Sequence, residues 1–161
     1  MAAVWDFRRH RWMSFYSCAV PNMGMSCAAI SNDRAARPGT WKKYFAGRFD
    51  EPGLGGQESA LPGLTGFRGA LFSVAFDPDV GAWLGWGRSF TRGGLFVTAS
   101  QDLLHWARPV QVFGGEPGFF SFLAGGRGTA VITPSIRLYY VTGVVHGSNH
   151  LEWRAARIQR L

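Results

Sequence analysis

The feature that most constrains this chain is an internal repeat. Trp41 stands ten residues before Glu51-Pro52-Gly53, and Trp106 stands ten residues before Glu116-Pro117-Gly118. A Ser-x-Asp lies upstream of each tryptophan, as Ser31-Asn32-Asp33 and Ser100-Gln101-Asp102. Further upstream, Asp6 precedes Trp12 by six residues and Asp77 precedes Trp83 by the same distance. The separation between copies falls from 71 (Asp6 to Asp77) through 69 (Ser31 to Ser100) to 65 (Trp41 to Trp106), so short insertions are confined to the turns. Self-similarity at such a period is the mark of a chain built from stacked units that bury their faces against each other.

Each unit reads as short strands. In the better-preserved copy they are Leu71 to Phe76, Ala82 to Ser89, Leu95 to Ser100 and Val110 to Phe113. Apolar and aromatic residues fill these runs, while Asp, Gly and Pro fill the connections, as tight antiparallel turns require. The 22 glycines and 8 prolines fit many turns. Four antiparallel strands per repeat describe a propeller blade. The expected architecture is therefore all-β, an incomplete β-propeller of about two and a half four-stranded antiparallel blades. Residues 1–50 form a blade lacking its start, 51–69 a Gly-rich inter-blade loop, 70–115 a complete blade and 116–161 an incomplete last blade. A closed propeller needs about four or more blades, so either a fragment of a longer protein or a self-associating chain is expected, and the fragment is favoured.

Ser100-Gln101-Asp102-Leu103-Leu104-His105-Trp106 resembles the Ser-x-Asp-Leu-x-x-Trp turn of five-bladed propeller enzymes, notably glycoside hydrolase family 43. Ala29-Ile30-Ser31-Asn32-Asp33 with Gly39-Thr40-Trp41 resembles the same element and the Asp-box of sialidase-type propellers. The resemblance implies a polysaccharide-directed protein, either a piece of a glycoside hydrolase that is inactive alone or a non-catalytic carbohydrate-binding or scaffold propeller assembled from several chains. In the turn itself, Asp caps backbone amides, Ser adds a second local hydrogen bond and Trp packs between blades.

Glycoside hydrolysis uses two carboxyl groups across the scissile bond. Asp6 and Asp77, Asp33 and Asp102, and Glu51 and Glu116 are repeat-equivalent and therefore architectural, and Asp79 shares the turn of Asp77. Asp50, Glu58 and Glu152 remain. Glu152 has no polar constellation around it in the sequence. Glu58 lies in a Gly-rich insertion that the next repeat lacks, and the resemblance makes it the candidate general acid. Its carboxylate partner has no counterpart here, since the family's base lies on the first strand of the first blade. An ordinary solvent-exposed loop carboxylate is the competing expectation. Gln57, Trp86 and His146 are candidate substrate contacts, with Phe67 and Phe72 as further aromatic neighbours. His146 and His150 flank Gly147-Ser148-Asn149 without an evident third ligand, and no metal or other cofactor is expected.

The formal charge of +7 suits an anionic partner, but the arginines are scattered and the densest groups lie near the two ends, so a solvated surface is favoured over nucleic acid. No apolar run is long enough for a membrane-spanning helix, and the N-terminus lacks the layout of a secretory signal. The resemblance nevertheless implies a secreted parent. Cys18 and Cys27 are symmetric about Pro21-Asn22-Met23-Gly24, as cross-strand neighbours of a hairpin would be. A disulfide and two buried thiols are both open, and the thiols are favoured.

Overall fold

A computed structural model describes residues 2–19, 24–65, 67–115, 118–124, 131–132, 134–142 and 150–158. Among them the chain is all-β, with three antiparallel sheets in which the strands follow chain order. The first sheet holds β1 (Ala2–Asp6), β2 (Arg11–Ser17), β3 (Ser26–Ser31), β4 (Trp41–Phe45) and β5 (Arg48–Pro52). The second holds β6 (Gly69–Asp77), β7 (Ala82–Ser89), β8 (Leu95–Ser100) and β9 (Val110–Phe113). The third holds β10 (Gly118–Ala124), β11 (Ser135–Thr142) and β12 (His150–Arg157). No helix among the described residues is long and apolar enough to cross a membrane.

The repeat is visible as register. In the first sheet Trp5 faces Trp12, Trp12 faces Ser31 and Ser31 faces Trp41. In the second, Phe76 faces Trp83, Trp83 faces Ser100, and Ser100 bridges Trp106. Directly opposed residues share a face, so each sheet carries the same cross-strand row. The turns match as well. Asp6 Oδ1 accepts the amides of Arg8 and Arg9, as Asp77 Oδ1 accepts those of Asp79 and Val80. Ser31 Oγ accepts the Asp33 amide at 3.2 Å, and Ser100 Oγ accepts the Asp102 amide at 3.2 Å.

One difference from the four-strand expectation has a local cause. The first sheet gains β5 because Ala46 and Gly47 both adopt positive φ, 46° and 91°, which suits a two-residue hairpin turn of the twist that antiparallel strands prefer. The second sheet has the four strands expected, with Pro109, which lacks an amide hydrogen, separating Trp106 from the ladder before β9 begins at Val110.

The sheets stack through two apolar layers. Val4, Met13, Phe15, Ile30 and Tyr44 from the first sheet meet Leu71, Val74, Phe76, Trp83 and Trp106. Phe15 and Trp106 pack edge to face with ring centres 5.6 Å apart. The opposite face of the second sheet, with Leu84, Trp86 and Leu95, packs on Ile132, Ile136, Leu138 and Tyr140 of the third-sheet region. Each large side chain so buried contributes about 1.5–3 kcal/mol.

The segment joining the first two sheets is not a free loop. Leu61 and Leu64 are fully buried between the sheets. The Ser59 amide donates to Tyr44 O, Leu61 to Ser26 O, and the Trp106 amide to Pro62 O. Gly63, at φ +81°, leaves no room for a side chain, since a Cβ there would collide with the Trp106 carbonyl.

Cys18 and Cys27 form a disulfide, in place of the free thiols favoured from sequence. Tyr16 opposes Cys27, and the Cys18 amide donates to Met25 O, so the two cysteines lie diagonally across the β2–β3 ladder on one face. Their Cα atoms are 5.1 Å apart, within bridging distance.

Candidate functional site

Because side chains alternate along a strand, the face of the first sheet turned away from the core carries Trp12, Ser14 and Tyr16 from β2, Ala29 from β3, and Trp41 and Lys43 from β4. A groove of about 490 Å³ runs over this face, lined by Ser14, Tyr16, Trp41, Lys43, Pro38 and Leu54 among others. Trp5 of β1 shares the face, edge-on to Trp12 with ring centres 5.5 Å apart, and the indoles of Trp12 and Trp41 are fixed at their rims. Trp41 Nε1 donates to Ala36 O at 3.3 Å, and Trp12 Nε1 donates to Arg34 O at 2.9 Å.

Glu58 lies at the edge of this groove and is not solvent-exposed, because the 53–68 segment folds back over the sheet. Its side chain is 8% exposed. Oε2 accepts from the Tyr16 hydroxyl at 3.1 Å and pairs with Lys43 Nζ at 3.3 Å, while Oε1 accepts the Ala19 amide beside the disulfide. Burial, followed by the charge of Glu58 and the hydrogen bond to it, pushes the Tyr16 phenol well above its ordinary range. Lys43 Nζ also donates to Gly56 O at 3.2 Å, and the Gln57 amide donates to Glu51 Oε2 at 3.0 Å. The linker is thus buttoned onto the sheet from both sides of Lys43.

A general acid needs a proton to deliver and room to deliver it. Glu58 is occupied as an acceptor by Tyr16, Lys43 and Ala19, and among the described residues no carboxylate lines the groove. The arrangement suits positioning of Tyr16 and Lys43. Cys18 Sγ, Cys27 Sγ and a Glu58 oxygen lie within 4.8 Å of one another, but both sulfurs are committed to the disulfide, and thiolates are what bind metal.

The other expected contacts are dispersed. Gln57 is exposed beside Glu58. Trp86 is buried on the opposite face of the second sheet, in the layer against the third, because it shares a face with Leu84 and not with Gly85. Phe67 packs on Phe96 with ring centres 5.2 Å apart. His146 and the side chain of Phe72 lie outside the described residues, and His150 is exposed on β12. Glu152, isolated in sequence, accepts the Tyr140 hydroxyl at 3.0 Å, and Tyr140 in turn accepts from Arg154 Nε. Sequence reasoning missed Tyr16 and Lys43 and treated Trp41 as scaffold alone. The usable signal was the alternation Trp12, Ser14, Tyr16, which puts three hydrogen-bonding side chains on one face.

Compared with family models, with curated proteins and with solved structures, the chain finds no match in any of the three.

Proposed function

We propose that this chain is part of a β-propeller of the kind its Ser-x-Asp turns resemble, and that it binds saccharide rather than cleaving it. The observation that carries the binding is the groove over the first sheet. An indole held edge-on by Ala36, a phenol and an ammonium border one apolar-walled depression of about 490 Å³. An aromatic platform with a few fixed polar groups is the usual composition of a small-ligand site, and the amphipathic tryptophan suits a ring with one apolar face. Binding without cleavage is supported by Glu58, whose oxygens accept from Tyr16, Lys43 and Ala19 and which, among the described residues, has no carboxylate opposite it in the groove. The test is a glycan array probed with the whole chain, followed by a reducing-sugar assay on every saccharide retained. Retention without release of sugar ends supports the reading. Steady release that Glu58→Gln abolishes overturns it in favour of hydrolysis.

A second reading has its own observation. Trp41 is the repeat equivalent of Trp106, and Trp106 is covered by the neighbouring sheet. The groove face is then a docking face for another sheet, supplied by a longer parent or by a second copy joined head to tail. Light scattering across a concentration series distinguishes the copy from the ligand. Concentration-dependent growth in mass that Trp41→Ala suppresses favours assembly, and a constant monomer favours the saccharide.

A further inference from the structure

Three arginines from three separate segments converge on a second cavity, at the end of the second sheet and distinct from the Trp41 groove. Arg68 comes from the linker, Arg92 from the β7–β8 turn and Arg108 from the β8–β9 loop, and together with Ser89 and Thr91 they line a space of about 540 Å³. The chain stretches that build it, residues 59–76, 80–101 and 103–115, contain no Asp or Glu. None of the three guanidinium groups forms an ion pair with a described residue.

The positions are held by backbone, not by chance side-chain placement. The Phe90 amide donates to Arg68 O at 2.7 Å, tying the linker to the end of β7. The Arg92 amide donates to Ser89 Oγ at 3.1 Å. Thr98 Oγ1 donates to Ala107 O at 2.6 Å and the Ala107 amide donates to Ala99 O, which anchors the loop one residue before Arg108. Gly63 lets the linker lie against that same loop.

The hydroxyls add direction. Ser89 Oγ already accepts the amides of Thr91 and Arg92, at 3.3 and 3.1 Å. Both its lone pairs are thereby used, so its own hydrogen goes to Thr91 Oγ1, 3.2 Å away. The Thr91 hydrogen is left to point at whatever fills the cavity. Among the described residues, the space is lined by three arginines without an ion pair and by the outward Thr91 O–H, with no carboxylate to compete for a ligand.

We propose that this cavity is an oxyanion site that takes a phosphate, sulfate or carboxylate group of a small ligand. Planar guanidinium forks bind such groups through paired, charge-assisted hydrogen bonds. The proposal does not depend on the saccharide reading, since the two cavities share no residue.

The test is calorimetric titration of the whole chain with inorganic phosphate, inorganic sulfate and glucuronate separately, at low salt, together with melting curves in each. Binding of at least one is expected at millimolar levels, with affinity lowered about tenfold or more by Arg68→Gln, Arg92→Gln or Arg108→Gln. Thr91→Val is expected to weaken it and Thr91→Ser to preserve it, while Arg48→Gln, on the exposed β5, leaves it unchanged. The preferred probe identifies the ligand group as an ester phosphate, an ester sulfate or a carboxylate. Because neutralising one of three like charges that line one cavity relieves repulsion, the glutamine variants are expected to melt no lower than the parent without anion and to lose the anion-induced rise. No binding of any probe at about 10 mM, or binding that the arginine variants share with the parent, overturns the proposal.

Discussion

Trp41 and Trp106 hold the same place in their sheets, each opposite the serine of a Ser-x-Asp turn, yet Trp106 is packed edge-on against Phe15 while Trp41 borders an open groove. The same side chain is therefore core in one unit and surface in the next. Trp106→Ala is expected to cost roughly 3–5 kcal/mol, the usual range for emptying a buried aromatic site. Trp41→Ala is expected to cost about 1 kcal/mol, the worth of its hydrogen bond to Ala36. Urea denaturation of both variants checks the asymmetry, and equal costs would contradict the stacking.

Glu58 ties the linker to the first sheet through Tyr16, Lys43 and Ala19. With the carboxylate and the ammonium both largely covered, Glu58→Gln is expected to destabilise by roughly 1–3 kcal/mol. A double-mutant cycle with Lys43→Met is expected to return a coupling of about 0.5–3 kcal/mol. Additive costs would show that the pair does not hold the linker.

The Tyr16 phenol is raised, first by burial and then by Glu58. A group whose folded value is raised stabilises the fold below its unfolded value, about 10 for tyrosine, and that stability falls as pH climbs above it. Melting temperature is accordingly expected to decline from about pH 10 upward, and Tyr16→Phe to flatten that decline. An unchanged alkaline limb in Tyr16→Phe would remove Tyr16 from the account.

At the acid end the sign reverses. Burial of Asp102 opposes its ionisation, but the His105 side chain, the amides of His105 and Leu104 and the Ser100 hydroxyl outweigh it and hold the carboxyl at about 2. Asp33, held mainly by the Arg37 side chain, also lies at about 2. Their contribution is complete above about pH 3.9, the unfolded value, and is lost as pH falls toward the folded one. Asp102→Asn is expected to shallow this acid limb, and Asp33→Asn in addition to shallow it further. A limb identical to the parent's in the double variant would contradict the capping roles.

The disulfide closes a short loop between β2 and β3, with Cys18 and Cys27 nine positions apart. On loop entropy it contributes about 2.5–3 kcal/mol. Cys18→Ser with Cys27→Ser is expected to lose that amount in urea, and also to loosen the Ala19 amide that Glu58 accepts. A loss below about 0.5 kcal/mol would show that the ladder alone sets the loop.

Much of the strand layout was legible because the repeat fixes it. The Asp and Trp spacings placed β1 against β2 and β6 against β7, and the Ser-x-Asp turns formed the capping bonds that their chemistry requires. β5 was not legible, since its hairpin turns on Ala46 adopting a positive φ that a non-glycine residue seldom takes. The site was legible only at Glu58. Sequence position marked the insertion that carries it, but not that Leu61 and Leu64 pull the insertion into the core and thereby bring Glu58 to Tyr16 and Lys43. Trp86, named only as a candidate sugar contact, lies buried against the third-sheet region, because alternation along β7 puts it on the face of Leu84.

The most direct measurement is calorimetric titration of an array-selected oligosaccharide into the parent chain and into Trp41→Ala, with Trp106→Phe as a control on the buried equivalent. Saturable binding in the micromolar to millimolar range, about 10⁻⁶ to 10⁻³ M, is expected, lost in Trp41→Ala and kept in Trp106→Phe. No heat with any saccharide, or binding in Trp41→Ala equal to the parent's, would contradict the saccharide reading.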